Sequence, residues 1–490
     1  MFHITGERST LGGDAVRLTI SKVITASISL ATSMLLSRFR TTEEYGTYSQ
    51  MLLVINMVTS LLMLGLPNSI NFFIGRADTK EERQSFLSVY YSLSTILSLL
   101  VGSVLVLSIP LIEAYFHNQL IRNFYYFLAL FPWTHIICSS IENILIVYHR
   151  TGFLMAYKII YSLANLGIIL VVQWISRGFT TFMVAYITVN CFFALAVYCI
   201  ASRLSGGLRF RLDPKLIKAV FAFSIPIGLS SVVGTLNAEI DKLLIGYLMD
   251  TEQMAIYTNA AKELPFTIIA FSITAVLLPK LSKMMKENKQ VESIQLWGHA
   301  VELAFVFIAL IVCGVFTYAE DVISILYSEK YLPGVNVFRV YTLNLLLRIT
   351  YFGIILNAAG ETKKIFWCSI YSLVLNAILN PLFYWLFGMI GPAIATFIAI
   401  FLILMLQLKM TAKVTELSFY EVFPWKKIKH IISINILFAV PFYCLKVRLP
   451  IEKTIGSIGE SLLLGIIWSA LYLLLMSKTI KKAWNELNRV

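Results

Sequence analysis

Charged and polar side chains inside apolar runs are where chemistry would sit in this 490-residue chain. The densest group lies in Asn237 to Pro279, NAEIDKLLIGYLMDTEQMAIYTNAAKELPFTIIAFSITAVLLP, which holds Glu239, Asp241, Lys242, Lys262 and Glu263. Charge within a bilayer costs a few kcal/mol or more, so such residues are functional candidates by default. Lys242, Lys262 and Arg348 form a candidate anion site, because Lys and Arg hold phosphate oxygens by charge-assisted hydrogen bonds. Arg339 is nine residues from Arg348, hence on the opposite helix face, and can reach outward to polar surroundings. The competing reading is internal ion pairing, of Asp241 or Glu239 with Lys262 and of Glu263 with Arg348. His135 and Glu142 are seven residues apart and share a helix face. With Asp241 they are candidates for ion coupling or for plain structural hydrogen bonding. Asn68, Asn71, Asn237, Asn259, Asn344, Asn357, Asn376 and Asn380 are candidates to line a path for sugar hydroxyls, or to bond between helices.

Other chemistries lack their signatures. The six cysteines lie in apolar runs with no CxxC spacing and read as packing residues. There is no HExxH, no P-loop and no Gly-rich nucleotide fingerprint. No catalytic set, metal site or cofactor is expected, beyond coupling to a Na+ or H+ gradient.

The elements that carry these residues are membrane helices. The chain is 58% hydrophobic and 14% charged, where a soluble domain is about 25% charged. A run of about 20 apolar residues spans a bilayer. Six such runs occupy 16–38, 47–75, 84–112, 120–148, 153–174 and 180–202. Six more occupy 219–248, 253–280, 296–318, 334–358, 363–387 and 391–412, and two close the chain at 430–447 and 455–477. Basic linkers separate the groups. Alternate connections carry 28 of the 40 Lys and Arg residues on one side, which by the positive-inside rule makes both termini cytoplasmic. The net charge of +13 therefore orients the chain, and part of it faces anionic headgroups. It does not point to nucleic acid.

The first two groups are related. A shift of 209 residues lays Thr42, Glu43 and Tyr48 on Thr251, Glu252 and Tyr257. The same shift lays the stripe Ser21, Thr25, Ser29, Ser33 on Ser230, Gly234, Ala238, Lys242. Small residues at this spacing pack helices closely, or flank a water-filled cavity. The expected fold is an all-α polytopic membrane protein of about fourteen transmembrane helices. Two pseudo-symmetric six-helix lobes, 1–205 and 206–415, precede two further helices and a cytoplasmic tail in 416–490. Parallel repeats place a substrate path between lobes.

DKLLIGYLMDTEQMAIYT, continuing to LPFTIIAFSITAVLLPKLSKM, resembles the span 7–8 signature of polysaccharide-biosynthesis flippases, the O-antigen and exopolysaccharide transporters of the multidrug/oligosaccharidyl-lipid/polysaccharide exporter superfamily. SRFRTTEEYGTYSQ and LGLPNSINFFIGR are similar to that family's opening segment. The lipid II flippases of the superfamily carry several arginines in the first lobe; here spans 1 and 2 have only the marginal Arg17, Arg38, Arg40 and Arg76. The resemblance implies a bacterial cytoplasmic-membrane transporter. It would flip a polyprenyl-diphosphate-linked oligosaccharide outward by alternating access, among membrane lipids and with polysaccharide assembly proteins as candidate partners. Two alternatives stand beside it: a multidrug/cation antiporter of the same superfamily, and a membrane glycosyltransferase or polymerase. The second would need a metal or acid/base site on a sizeable outer loop, and no such loop or DxD pair is present.

Overall fold

The computed structural model describes residues 11–176, 178–262, 264–448 and 452–489. It is helical throughout, with no strand among the described residues. Among the described residues, eleven segments are long and apolar enough to cross a membrane, and the 54-residue Thr362–Thr415 contains two of the expected runs. The expected run 334–358 is not in that set, because it is broken into the shorter helices Val335–Leu347 and Ile354–Ala358. Large apolar side chains point outward along the long helices, as Ile160, Leu163 and Leu170 do in Thr151–Ile175. Such faces suit lipid rather than water. The chain is thus a multi-pass membrane protein.

It forms two compact units, 1–255 and 256–490. The first holds α1 (Leu11–Phe39), α2 (Thr42–Met63), α3 (Ser69–Arg76), α4 (Lys80–Leu107), α5 (Ile109–Phe116), α6 (Tyr125–Val147), α7 (Thr151–Ile175), α8 (Phe179–Ser205) and α9 (Pro214–Leu248). The unit boundary thus falls after the seventh expected span, later than the repeat boundary read from the sequence. Helix starts follow local chemistry. Thr41 and Glu44 form a reciprocal capping box on α2, and Thr79 and Glu82 do the same on α4. Asp213 accepts from the amides of Lys215 and Leu216, with Pro214 at the first helical position of α9. The core joins α4, α6 and α8 through Phe86, Tyr90, Ile137, Ile141 and Val197.

The stripe on α1 is mixed, with Ser29 exposed and Thr25 half-buried. Ser21, Ser33 and Ser37 are buried, and Thr25, Ser33 and Ser37 hydroxyls donate back to carbonyls of their own helix. Span 2 breaks between α2 and α3. Leu64 and Gly65 take left-handed conformations, at φ 39° and 71°, before a short 3-10 turn, Leu66–Asn68. Gly65 suits that backbone, and it meets Gly228 of α9 with no room for a side chain on either. A Cβ on Gly228 would lie 2.0 Å from the carbonyl carbon of Leu64.

The second unit continues α10 (Thr251–Ala260), which straddles the boundary, into α11 (Thr267–Lys286), α12 (Gln290–Thr317), α13 (Ala319–Leu326), α14 (Val335–Leu347) and α15 (Ile354–Ala358). It ends with α16 (Thr362–Phe387), α17 (Gly391–Thr415), α18 (Phe419–Val422), α19 (Trp425–Arg448) and α20 (Glu452–Arg489). α16 and α17 pair as a hairpin, and α19 and α20 pack on α12. The break after α14 is anchored by Trp297 of α12, whose indole N–H donates to Thr350 at 3.1 Å.

Candidate functional site

A polar cavity of about 560 Å³ opens in the first unit among α2, α6 and α9. From α2 come Asn56, Thr59 and Ser60. From α6 comes His135, whose ring stacks on Phe131 at 5.8 Å. From α9 come Ser231, Gly234, Thr235, Ala238 and Glu239. These α9 positions follow the three-and-four spacing of one helix face, and Gly234 and Ala238 belong to the small stripe that the internal repeat marked. Their small size leaves the space: nothing lies within 4 Å of a Cβ built on Gly234. Ser60 and Thr235 bridge the two helices, hydroxyl to hydroxyl, at 3.1 Å.

The cavity is held at both ends by the packing of α9. Toward one end Gly65 and Gly228 cross, and Phe72 stacks on Phe223 at 4.2 Å. Toward the other end the Tyr115 hydroxyl donates to the Leu243 carbonyl at 3.2 Å. There Asn118 is buried and donates to Thr47 and Gln50 at 2.9 and 2.7 Å. Gln50 donates in turn to Thr251 at 3.4 Å.

Lys242 stands one turn beyond Glu239 on α9 and donates to its carboxylate at 2.7 Å. Both side chains are about one-fifth exposed, so the pair is only partly screened by solvent. Asp241, on the buried side of the helix, accepts from the Lys242 backbone amide at 2.8 Å. Among the described residues, Glu239 thus pairs with Lys242 in this stretch, and Glu263 lies outside the described residues. Glu142 does not join His135 in the cavity: it pairs with Lys158 of α7. Seven residues on a helix share a face but lie about 10 Å apart along it, and Lys158 takes up the charge at the far end.

Lys262 and Arg348 both stand at helix breaks in the second unit. Lys262 follows the end of α10, and Arg348 is the C-terminal cap residue of α14. Lys262 is half-buried and Arg348 exposed. A half-helix end carries a partial negative charge that a cation stabilises. Interrupted membrane helices are tolerated where the backbone is buried in protein or lines a water-filled cavity. Arg339 bonds Glu320 at 3.2 Å and Asn336 at 3.1 Å, which takes it away from the break. Among the asparagines, Asn376 accepts from Thr396 at 3.4 Å, and Asn71 donates to Asn143 at 3.0 Å. Asn143, which no local pattern marks, also donates to the carbonyl of Pro67 in the break of span 2.

A family model described as "Polysaccharide biosynthesis protein" matches residues 35–336. The capsular polysaccharide biosynthesis protein CapF of Staphylococcus aureus is 24% identical over 206 residues, 41% of this chain and 49% of that protein. The match thus spans about half the length of this curated relative. Among solved structures, lipid II flippase MurJ in an inward closed conformation aligns with TM-score 0.68 and 15% identity, over 94% of this chain and 98% of that one. An inward-facing multidrug resistance MATE family transporter of the MOP superfamily aligns with TM-score 0.64 and 16% identity, over 83% and 99%. The shared architecture joins the family match, and the chain belongs to the polysaccharide biosynthesis protein family and has the fold of the MOP-superfamily transporters.

Proposed function

We propose that this protein is a transporter, not an enzyme, that moves a polyprenyl-diphosphate-linked oligosaccharide across a bacterial cytoplasmic membrane. In this reading both termini are cytoplasmic and transport runs by alternating access. The observation that carries it is the hydroxyl- and amide-lined cavity of the first unit, in a chain of this family. Asn56, Thr59, Ser60, Ser231 and Thr235 offer both donors and acceptors, the chemistry that sugar hydroxyls need. Lys262 and Arg348 are the diphosphate contacts. Half-helix ends leave polar backbone at membrane depth, as substrate paths of transporters do. Na+ or H+ drives the cycle, with Asp241 and His135 as coupling candidates.

The test is reconstitution in liposomes with a fluorescent polyprenyl-diphosphate oligosaccharide, following its accessibility on the far leaflet. Wild type should exchange the lipid. Lys262→Ala and Arg348→Ala should lose exchange while keeping their melting temperatures. Full exchange in both variants would return these residues to the role of helix-end charges. Absence of exchange in wild type under an imposed ion gradient would overturn the substrate assignment.

A second reading, a multidrug/cation antiporter, draws on one observation. The acidic group lining the cavity is Glu239, and a carboxylate suits a cationic drug. Efflux of a lipophilic cation by wild type, lost in Glu239→Gln, would favour it.

A further inference from the structure

Between α8 and α9 the chain is laid along α4. Gly206 and Gly207, at φ 85° and 116°, turn it out of α8. Gln84 of α4 donates to the carbonyls of Gly206 and Gly207 at 3.2 and 2.9 Å. The Arg209 amide donates to the Ser88 hydroxyl at 3.1 Å, and the Arg211 amide to that of Ser92 at 3.0 Å. Ser88 and Ser92 are both buried. Each step takes two residues of linker for four of helix. Four helical residues rise about 6 Å and two extended residues about 6.6 Å, so the two repeats match. Residues 207–212 thus form an extended strap held by its backbone, and Leu208 packs into the core of the first unit.

An extended segment puts alternate side chains on opposite faces. Arg209 and Arg211 share one face of the strap, and Phe210 and Leu212 share the other. All four are exposed, Phe210 at 75% and Leu212 at 47%. Between 203 and 218 the sequence has five basic residues, Arg203, Arg209, Arg211, Lys215 and Lys218, against one acid. That acid, Asp213, caps α9 and touches Arg211 at 3.5 Å. Basic clusters beside a membrane helix attract anionic headgroups. A segment with one basic and one apolar face lies at the boundary between headgroups and acyl chains. An acidic soluble partner would match the arginines but not the apolar face.

We propose that residues 207–212 dock on the cytoplasmic leaflet by binding anionic phospholipid. Arg209 and Arg211 hold the phosphates, and Phe210 and Leu212 sit at the acyl boundary. The strap is fixed in advance by α4, so the arginines meet the lipid in a set spacing. This rests on the proposed topology, which puts the linker at the cytoplasmic face, and not on the transported substrate.

The test uses the full-length chain in nanodiscs, with its six native cysteines replaced by Ala and Leu212→Cys carrying a fluorophore. Nitroxide-labelled phosphatidylglycerol and nitroxide-labelled phosphatidylcholine, matched in mole fraction and label depth, are compared as quenchers. Quenching by the anionic lipid should exceed quenching by the zwitterionic one about twofold or more. Arg209→Gln with Arg211→Gln should bring the two lipids level and keep the melting temperature. Molar salt should level them without any change to the arginines, because exposed charges are screened. That measurement decides if the double variant fails to fold. Equal quenching by both lipids before either treatment, or no quenching by either, would overturn the proposal; the second result would mean a strap covered by protein or bathed in water. A preference that survives both the double variant and molar salt would also overturn it. The leaflet is read separately, from the side on which an impermeant thiol reagent reaches Lys215→Cys in sealed vesicles. Reaction from the outer side would overturn the leaflet and the topology together, whereas failed quenching alone would leave the topology standing.

Discussion

Glu239 and Lys242 are joined across one turn of α9 at 2.7 Å, and Glu239 alone of the two lines the cavity. The lysine thus sets the charge that the cavity presents. Lys242→Met removes the partner and leaves a partly buried carboxylate, at a cost of about 1–3 kcal/mol. The double variant Glu239→Gln with Lys242→Met should recover part of that loss, because both charges go together. A double-mutant cycle on thermal stability should give a coupling of about 0.5–3 kcal/mol. Strictly additive losses would mean that the pair does not hold in the membrane.

Two glycines on the same helix make opposite predictions. Gly228 meets the Leu64 backbone, and the 2.0 Å approach of a new Cβ has to be relieved by moving backbone. Gly228→Ala should therefore lower melting temperature and yield. Gly234 faces open cavity. Gly234→Ala should keep or slightly raise stability, since alanine is favoured over glycine in helices by about 0.5–1 kcal/mol. Gly234→Phe should fold, fill the cavity and abolish lipid exchange in the liposome assay. Normal exchange with Phe at 234 would remove the cavity from the transport path.

Parts of this arrangement were legible from the residues, and the reasons differ from part to part. The α9 stripe was readable because helical period and internal repeat coincide there: Gly234 and Ala238 fall on the face that lines the cavity. The breaks at Lys262 and Arg348 were hidden, because hydropathy averages over a window and does not register where backbone hydrogen bonding stops. Pro265 stands three residues after Lys262, but no proline stands near Arg348. The pairing of Glu142 with Lys158 was missed because a shared face says nothing about the next helix. Asn143 was invisible for the same reason, its partner Pro67 lying 76 residues away.

The last prediction concerns what fastens α19 to the rest of the second unit. Glu302 of α12 is buried and accepts from Lys427 of α19 at 2.5 Å. His299 lies one turn earlier on α12, with its Nδ1 3.8 Å from the same carboxylate. Lys427 is the more exposed partner, so its removal leaves the charge of Glu302 inside the protein. Lys427→Met should then cost more stability than Glu302→Gln, which removes the buried charge and keeps a group able to hydrogen-bond. The order of melting temperatures, wild type above Glu302→Gln above Lys427→Met, is the measurement. Limited proteolysis should report the same order as earlier cleavage before Trp425 in Lys427→Met. If Lys427→Met melts with wild type, the contact contributes nothing measurable. The apolar packing of Ile428 and Ile431, both buried on the same helix, then suffices to hold α19 in place.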